Sequence, residues 1–235
     1  MKAAIIVFPA SNCERDAFVT AKSMFENNAA GNEVIRVWHQ DTHLPKVELV
    51  ILPGGFSYGD YLRSGAIAAR SNIMQEVIKH ANNGGHVLGI CNGFQILTEA
   101  GLLEGALIRN KNLKFICKNV HLRVENNKTS FTNNYAKNQV IQFPVAHHDG
   151  NFYADDVALR QLNDENRVIL RYCGANGEVN AETNINGSLE NIAGIVSKNG
   201  NVIGMMPHPE RVCDAMLGGV DGIGIFSSLL EKAVA

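Results

Sequence analysis

The stretch from Val87 to Leu97, Val-Leu-Gly-Ile-Cys-Asn-Gly-Phe-Gln-Ile-Leu, constrains this chain more than any other. After a Gly84-Gly85 break, His86 to Ile90 form a short apolar run of the kind a buried parallel strand shows, and Phe94, Ile96 and Leu97 resume at helical spacing. Cys91 falls on the junction. A side chain at a sharp strand-to-helix turn needs small residues two positions away on each side, and Gly89 and Gly93 stand there, giving the pattern of a nucleophile elbow with sulfur as the reacting atom. Such a thiol projects from the carboxyl end of the sheet, where open α/β folds bind ligands, and the positive end of the following helix favours thiolate. Gln95 lies four residues on, so it shares a helical face with Cys91 and is expected to turn its carboxamide toward a substrate. Taken by itself, Cys91 is equally well explained as a small apolar filler at a strand end.

At 235 residues, 46% of them apolar and 19% charged, the chain can bury a core large enough for one α/β domain spanning 1–235. A net charge of −2 without a long basic stretch gives no reason to expect nucleic acid or a membrane as partner. Cys13, Cys91, Cys117, Cys173 and Cys213 are odd in number and contain no C-x-x-C pair, which argues against a disulfide framework or a zinc knuckle and for a reducing cytoplasm. The apolar run after Met1-Lys2 closes at Pro9 without a small-residue cleavage site, and no stretch approaches the roughly 20 apolar residues of a membrane span.

Read in order, Ala3 to Phe8 is a strand, and Ser11, with Glu14 three residues later, is a candidate cap for a helix ending near Asn27-Asn28. Glu33 to Trp38 and Val47 to Leu52 are further strands, so the chain opens as a mostly parallel, doubly wound (flavodoxin-like) α/β sheet. Pro53-Gly54-Gly55-Phe56 follows the third strand and lies at its carboxyl edge, where adjacent glycines let backbone N–H groups approach a ligand. Ile67 to Asn83 reads as mostly helical. Phe115 to Val124 and Val140 to Val145 alternate in polarity and are expected as antiparallel additions to the sheet. Asp155-Asp156 can cap a helix over Val157 to Leu162, and Val168 to Tyr172 is another strand. Ala193 to Val196 and Val202 to Met206 flank Asn199-Gly200 as a hairpin, and a helix from Asp221 to Val234 closes the chain.

The hairpin's second strand leads into Met206-Pro-His-Pro-Glu-Arg211. Pro209 keeps His208 extended, and in extended chain residues two apart point the same way, so His208 and Glu210 share a face. That is how a carboxylate holds one imidazole nitrogen while the other faces a nucleophile.

Taken together, Gly54-Gly55, Gly89-x-Cys91-x-Gly93-x-Gln95 and His208-Pro-Glu210 resemble, over the whole chain, the class I glutamine amidotransferases. Within them, Phe8 to Asp16, Pro53 to Gly65, Lys114-Phe115, Pro144 to His147, Asn186 to Ser188 and Met205 to Arg211 are similar to the family of separate glutaminase subunits serving phosphoribosylformylglycinamidine synthases. Two positions depart from that pattern, Ala10, often glycine, and His148-Asp149, often Gly-Glu, which leaves His147 and His148 unassigned. The resemblance implies that Cys91 attacks the carboxamide of glutamine, that the N–H groups of Gly55 and Asn92 form an oxyanion hole, and that Gly54, Gly55, Phe56 and Gln95 contact substrate. His208 would protonate the departing ammonia and then activate water, with Glu210 fixing its tautomer. It further implies docking to an ATP-dependent synthetase subunit and a small accessory subunit. ATP and Mg2+ are expected on the synthetase, with no cofactor or metal bound by this subunit. Arg109 and the other four cysteines have no comparable constellation and read as structural or exposed.

Two other readings stay open at this point. One keeps the triad and changes the acceptor, as in the amidotransferase subunits for anthranilate, imidazole glycerol phosphate or pyridoxal phosphate, although Phe56-Ser-Tyr-Gly-Asp-Tyr61 argues against it. The other is a catalytically silent binding or sensor protein in which Cys91 is merely buried.

Overall fold

The computed structural model describes residues 1–26 and 30–231. In chain order it contains β1 (Lys2–Val7), α1 (Glu14–Glu26), β2 (Glu33–Trp38), β3 (Leu49–Leu52), α2 (Asn72–Asn82), β4 (His86–Ile90) and α3 (Asn92–Glu99). There follow β5 (Ala106–Ile108), β6 (Ile116–Val124), β7 (Val140–His147), β8 (Asn151–Tyr153), α4 (Asp156–Asp164), β9 (Val168–Cys173), β10 (Ile192–Val196), β11 (Val202–Met205) and α5 (Ile223–Glu231). The expected ends of the first helix at Asn27-Asn28 and of the last at Val234 lie outside the described residues.

One nine-stranded sheet runs in the order β2-β1-β3-β4-β11-β10-β9-β6-β7. The first five strands are parallel, in the flavodoxin-like 2-1-3-4-5 order with β11 as the fifth, and the remaining four alternate antiparallel. This is the mixed α/β architecture expected. The central strands are buried on both faces, and Leu49-Val-Ile-Leu52 accordingly reads as an unbroken apolar run. For the site the decisive pairing is β4 with β11, in register from Val87 opposite Val202 to Ile90 opposite Met205. Two parallel neighbours end at the same edge, so residues just after Ile90 and just after Met205 emerge side by side.

Several local expectations change. Ser11 does not cap α1, which begins at Glu14, because its hydroxyl donates to the Gly54 carbonyl at 3.2 Å and ties the turn after β1 to the glycine pair. The helical stretch after Ile67 divides at Ser71, an extended residue separating a single 3-10 turn from α2. A two-stranded ribbon of β5 and β8, pairing Ala106 with Tyr153, was not legible because each strand has only three residues.

Candidate active site

Cys91 occupies the residue between β4 and α3, with φ 51° and ψ −105°, a conformation that costs an L-residue of order 1–3 kcal/mol. The surroundings hold it there. Its N–H donates to Met205 O on β11 at 2.7 Å, and its carbonyl accepts from Phe94 and Gln95 in the first turn of α3. Gly93 is dictated by the tightness of this bend, because a Cβ there would stand 2.0 Å from Leu52 O on β3. The sulfur lies 3.8 Å from the Ala146 carbonyl near the end of β7, so the antiparallel half of the sheet closes over the parallel half at this point.

His208 follows β11 and its N–H donates to Pro144 O, again on β7. The chain does not stay extended through Glu210, as the sequence suggested, but turns into a 3-10 segment over Pro209–Arg211. The two side chains still meet, with His208 Nδ1 2.6 Å from Glu210 Oε1 and both residues buried. Burial alone would push the imidazole pKa down, but the Glu210 carboxylate and the charge at the Cys91 sulfur outweigh it and hold the group up at about 10. His208 Nε2 has no hydrogen-bond partner among the described residues. A Cβ at Gly54 would sit 2.6 Å from His208 Cε1 and 3.3 Å from Cys91 Cβ, so sulfur-bearing residue, imidazole and glycine pair surround one point.

Gly55 adopts φ +127°, where a side chain would meet the Asn12 backbone at 2.6 Å, and its N–H makes no hydrogen bond to the described residues. The Asn92 N–H, first in α3, is likewise uncommitted, while the Asn92 carboxamide is fully engaged: it accepts from Ser57 N–H and donates to Asp60 and to Gln95 Oε1. The Gln95 carboxamide, expected to face a substrate, is also held by protein. Its Oε1 is taken by Asn92 and its Nε2 donates to Asp149 O at 2.6 Å, which leaves one N–H of Nε2 for a substrate. Phe56 is 41% exposed, with its ring centroid 6.4 Å from that of Phe115.

The sequence did not reveal the polar network that supports these groups. Asp149 accepts from Ser64 Oγ at 3.1 Å and pairs with Arg109 at 2.5 Å, so Arg109 belongs to the surroundings of Gln95. Burial, with Asp149 nearby, raises the Asp60 carboxyl to about 6 against the hydrogen bonds from Ser64 and Asn92. Asn110 and His147, both buried, form a second cluster beside the end of β7. Of the remaining cysteines, Cys13 lies nearest this chemistry, with Arg211 Nη2 at 3.0 Å from its sulfur, but burial pushes its thiol up to about 12 and keeps it protonated. No group of three His, Cys, Asp or Glu among the described residues is arranged to hold a metal ion.

Residues 1–219 match the family model described as a CobB/CobQ-like glutamine amidotransferase domain. The chain is 56% identical over 232 residues to phosphoribosylformylglycinamidine synthase subunit PurQ of Rhodopseudomonas palustris (strain BisB18), covering 98% of this chain and 97% of the other. Against the same subunit of Rhodospirillum rubrum the identity is 55% over 233 residues, covering 99% of each. Among solved structures, a chain of PurLQS from Thermotoga maritima superposes with a TM-score of 0.84 at 47% identity, covering 99% of this chain and 98% of that one.

Proposed function

The chain belongs to the CobB/CobQ-like glutamine amidotransferase domain family, and from that premise we propose that it is the glutaminase subunit of a phosphoribosylformylglycinamidine synthase, working in purine biosynthesis beside PurL and PurS partners. The observation that carries its chemistry is the parallel pairing of β4 with β11, which delivers Cys91 and the His208–Glu210 pair to one edge of the sheet.

Cys91 sulfur attacks the carboxamide carbon of glutamine, and the developing oxyanion lies against the uncommitted N–H groups of Gly55 and Asn92. The raised affinity of His208 for a proton supplies what the departing ammonia needs to leave. The imidazole, now neutral, takes a proton from water as the water attacks the thioester, and Glu210 holds Nδ1 so that Nε2 remains the working nitrogen. Gly54, Gly55 and Phe56 shape the glutamine site, and the spare N–H of Gln95 orients the substrate. Ammonia is protonated quickly in water and then cannot act as a nucleophile, so it passes under shelter to the synthetase, which this reading makes the carrier of ATP and Mg2+. The setting is the cytoplasm, in keeping with five free cysteines. Among the described residues no helix is long and apolar enough to cross a membrane.

Cys91→Ser in the reconstituted complex should abolish glutamine-dependent amidine formation and leave the reaction with added ammonium salts intact. Loss of both activities would reject this division of labour. Labelling of Cys91 by 6-diazo-5-oxonorleucine separates it from a silent binding protein, whose cysteine would not react.

A further inference from the structure

His147 ends β7 next to Ala146, whose carbonyl touches the Cys91 sulfur, and it has no part in the chemistry above. Its neighbours fix its protonation state. Asn110 Nδ2 donates to two carbonyls, Lys114 O at 2.8 Å and His147 O at 3.0 Å, so the orientation of that carboxamide is set and Oδ1 is the acceptor end. Oδ1 accepts from the Gly150 N–H at 3.1 Å and lies 3.1 Å from His147 Nδ1, which must therefore carry the proton. The ring is the neutral Nδ1–H tautomer. Its Nε2 is then a bare lone pair, buried and without a partner among the described residues, an arrangement that costs about 1–3 kcal/mol unless something is bound there in use. Burial, reinforced by the charge of His208, lowers the imidazole to about 4, so the ring stays an acceptor throughout the neutral range.

His208 Nε2 is also buried without a partner among the described residues, and the end of β7 that carries His147 borders both centres, with Pro144 O accepting the His208 N–H and Ala146 O lying 3.8 Å from the Cys91 sulfur. Once His208 has given its proton to ammonia, its Nε2 becomes a second imidazole lone pair without a partner among the described residues. Water has two hydrogens to give. We propose that His147 is a positioning residue for thioester hydrolysis, its Nε2 accepting one hydrogen of the attacking water while His208 Nε2 accepts the other. Both water hydrogens are then engaged and an oxygen lone pair is left for the carbonyl carbon. The oxygen–carbon bond forms as one proton moves to His208, the carbon–sulfur bond breaks, and His208 returns that proton to the Cys91 sulfur. The second hydrogen stays on the product carboxyl, which loses it to solvent on release as glutamate. His147 holds a hydrogen bond throughout and never takes a proton.

The proposal rests on the glutaminase reading and is separable from it by experiment. In the complex with its synthetase and accessory subunits, His147→Asn keeps a donor toward Asn110 and removes the Nε2 acceptor. The expected result is deacylation slowed by about tenfold or more. Glutamyl-Cys91 should accumulate in samples quenched at steady state, visible as added mass on the intact chain, while the rate of Cys91 labelling by 6-diazo-5-oxonorleucine is unchanged. Turnover and labelling that fall together, or turnover that does not fall, would overturn the proposal. Nitrogen-15 NMR of His147 in the wild-type protein tests the tautomer without any substitution, and a protonated Nε2 would also overturn it. A wild-type complex that neither hydrolyses glutamine nor takes up the label defeats the glutaminase reading itself, and this inference with it.

Discussion

The parallel strands and the antiparallel ribbon of β6 and β7 meet at Cys91, but they reach it by different physics. Strands β3 and β11 are buried along their whole length, whereas β6 begins with exposed residues and alternates thereafter. In the parallel half position follows from topology, since neighbouring strands end together and everything after Ile90 and Met205 is delivered to one edge. The ribbon contributes by curling its last residues inward, so that Pro144 O holds the His208 N–H and Ala146 O meets the thiol. Cys91 and His208 thus depend on tight backbone packing, and the ribbon acts through a few contacts at its tip.

The sharpest way to break that distinction is to add one carbon to each region. Gly93→Ala forces a Cβ to within 2.0 Å of Leu52 O, a backbone atom that cannot rotate away, so α3 must lift from the sheet and carry Cys91 with it. A loss of about 3 kcal/mol is expected, read as a lower urea midpoint at unchanged slope, together with loss of glutamine hydrolysis. Gly177, whose carbonyl accepts from Arg123 of β6, has φ +84° and would place a Cβ 3.2 Å from Val140 Cγ2. Gly177→Ala should cost only about 1 kcal/mol and leave hydrolysis intact. Similar losses of activity at the two sites would show that the ribbon holds the nucleophile as firmly as the parallel strands do.

The two buried imidazoles, one from each region, offer a finer comparison because their pKa values move in opposite directions. His147 is lowered from 6.5 to about 4, so as pH falls from 6.5 toward 4 the unfolded chain binds a proton that the folded chain refuses, and stability drops. His208 is raised to about 10, so its contribution is full below pH 6.5 and is lost as pH rises toward 10. His147→Asn should therefore flatten the acid limb of stability against pH, by up to ~3 kcal/mol for a shift of that size, and leave the alkaline limb unchanged. His208→Gln should flatten the alkaline limb and, because it removes a charge that helps hold His147 down, also ease the acid limb to a smaller extent. His80, also lowered chiefly by burial, keeps some acid slope in both variants. Urea midpoints between pH 4 and 10 decide it, and an alkaline limb flattened by His147→Asn would mean that the imidazole assignments are reversed.

These same residues explain how much of the site the sequence could disclose. Cys91 and His208–Glu210 were legible because each carries its reason locally, in glycines two residues away on each side or in prolines that bracket the histidine. Their meeting was less visible, since nothing in the sequence says that β11 lies beside β4 and not at an edge. Asn110 gave no local signal at all, and His147 and Asp149 stood out only through the family-like stretch around them, with no role assigned. A single asparagine in a loop and a histidine after an alternating strand look like ordinary surface residues until the end of β7 folds over the thiol. The loop after Gly55 was obscure for another reason: Tyr58, Asp60 and Leu62 take φ of 55°, 54° and 69° without being glycine, and conformations imposed by tertiary contacts, such as the 2.5 Å bond from Tyr58 to His39, are not encoded in local propensity.

Helix starts give the smallest predicted effect and the same contrast. The helix α4, whose Asn163 Oδ1 accepts from Arg171 of β9, begins conventionally, with the Asp155 carboxylate accepting the N–H groups of Val157 and Ala158. At α3 the capping position belongs to Cys91, whose side chain caps nothing, and the Asn92 N–H is uncommitted among the described residues, as the proposed oxyanion hole requires. A capped α3 would have its donors occupied by its own chain, so on the proposed reading the stability forgone at that helix end keeps those donors free for substrate. Asp155→Ala should consequently cost about 1 kcal/mol, measured as a drop in urea midpoint, with glutamine hydrolysis by the complex unchanged. If hydrolysis fell with stability, α4 would have to be coupled to the site through the antiparallel strands, and the division between a functional and a purely structural helix start would fail.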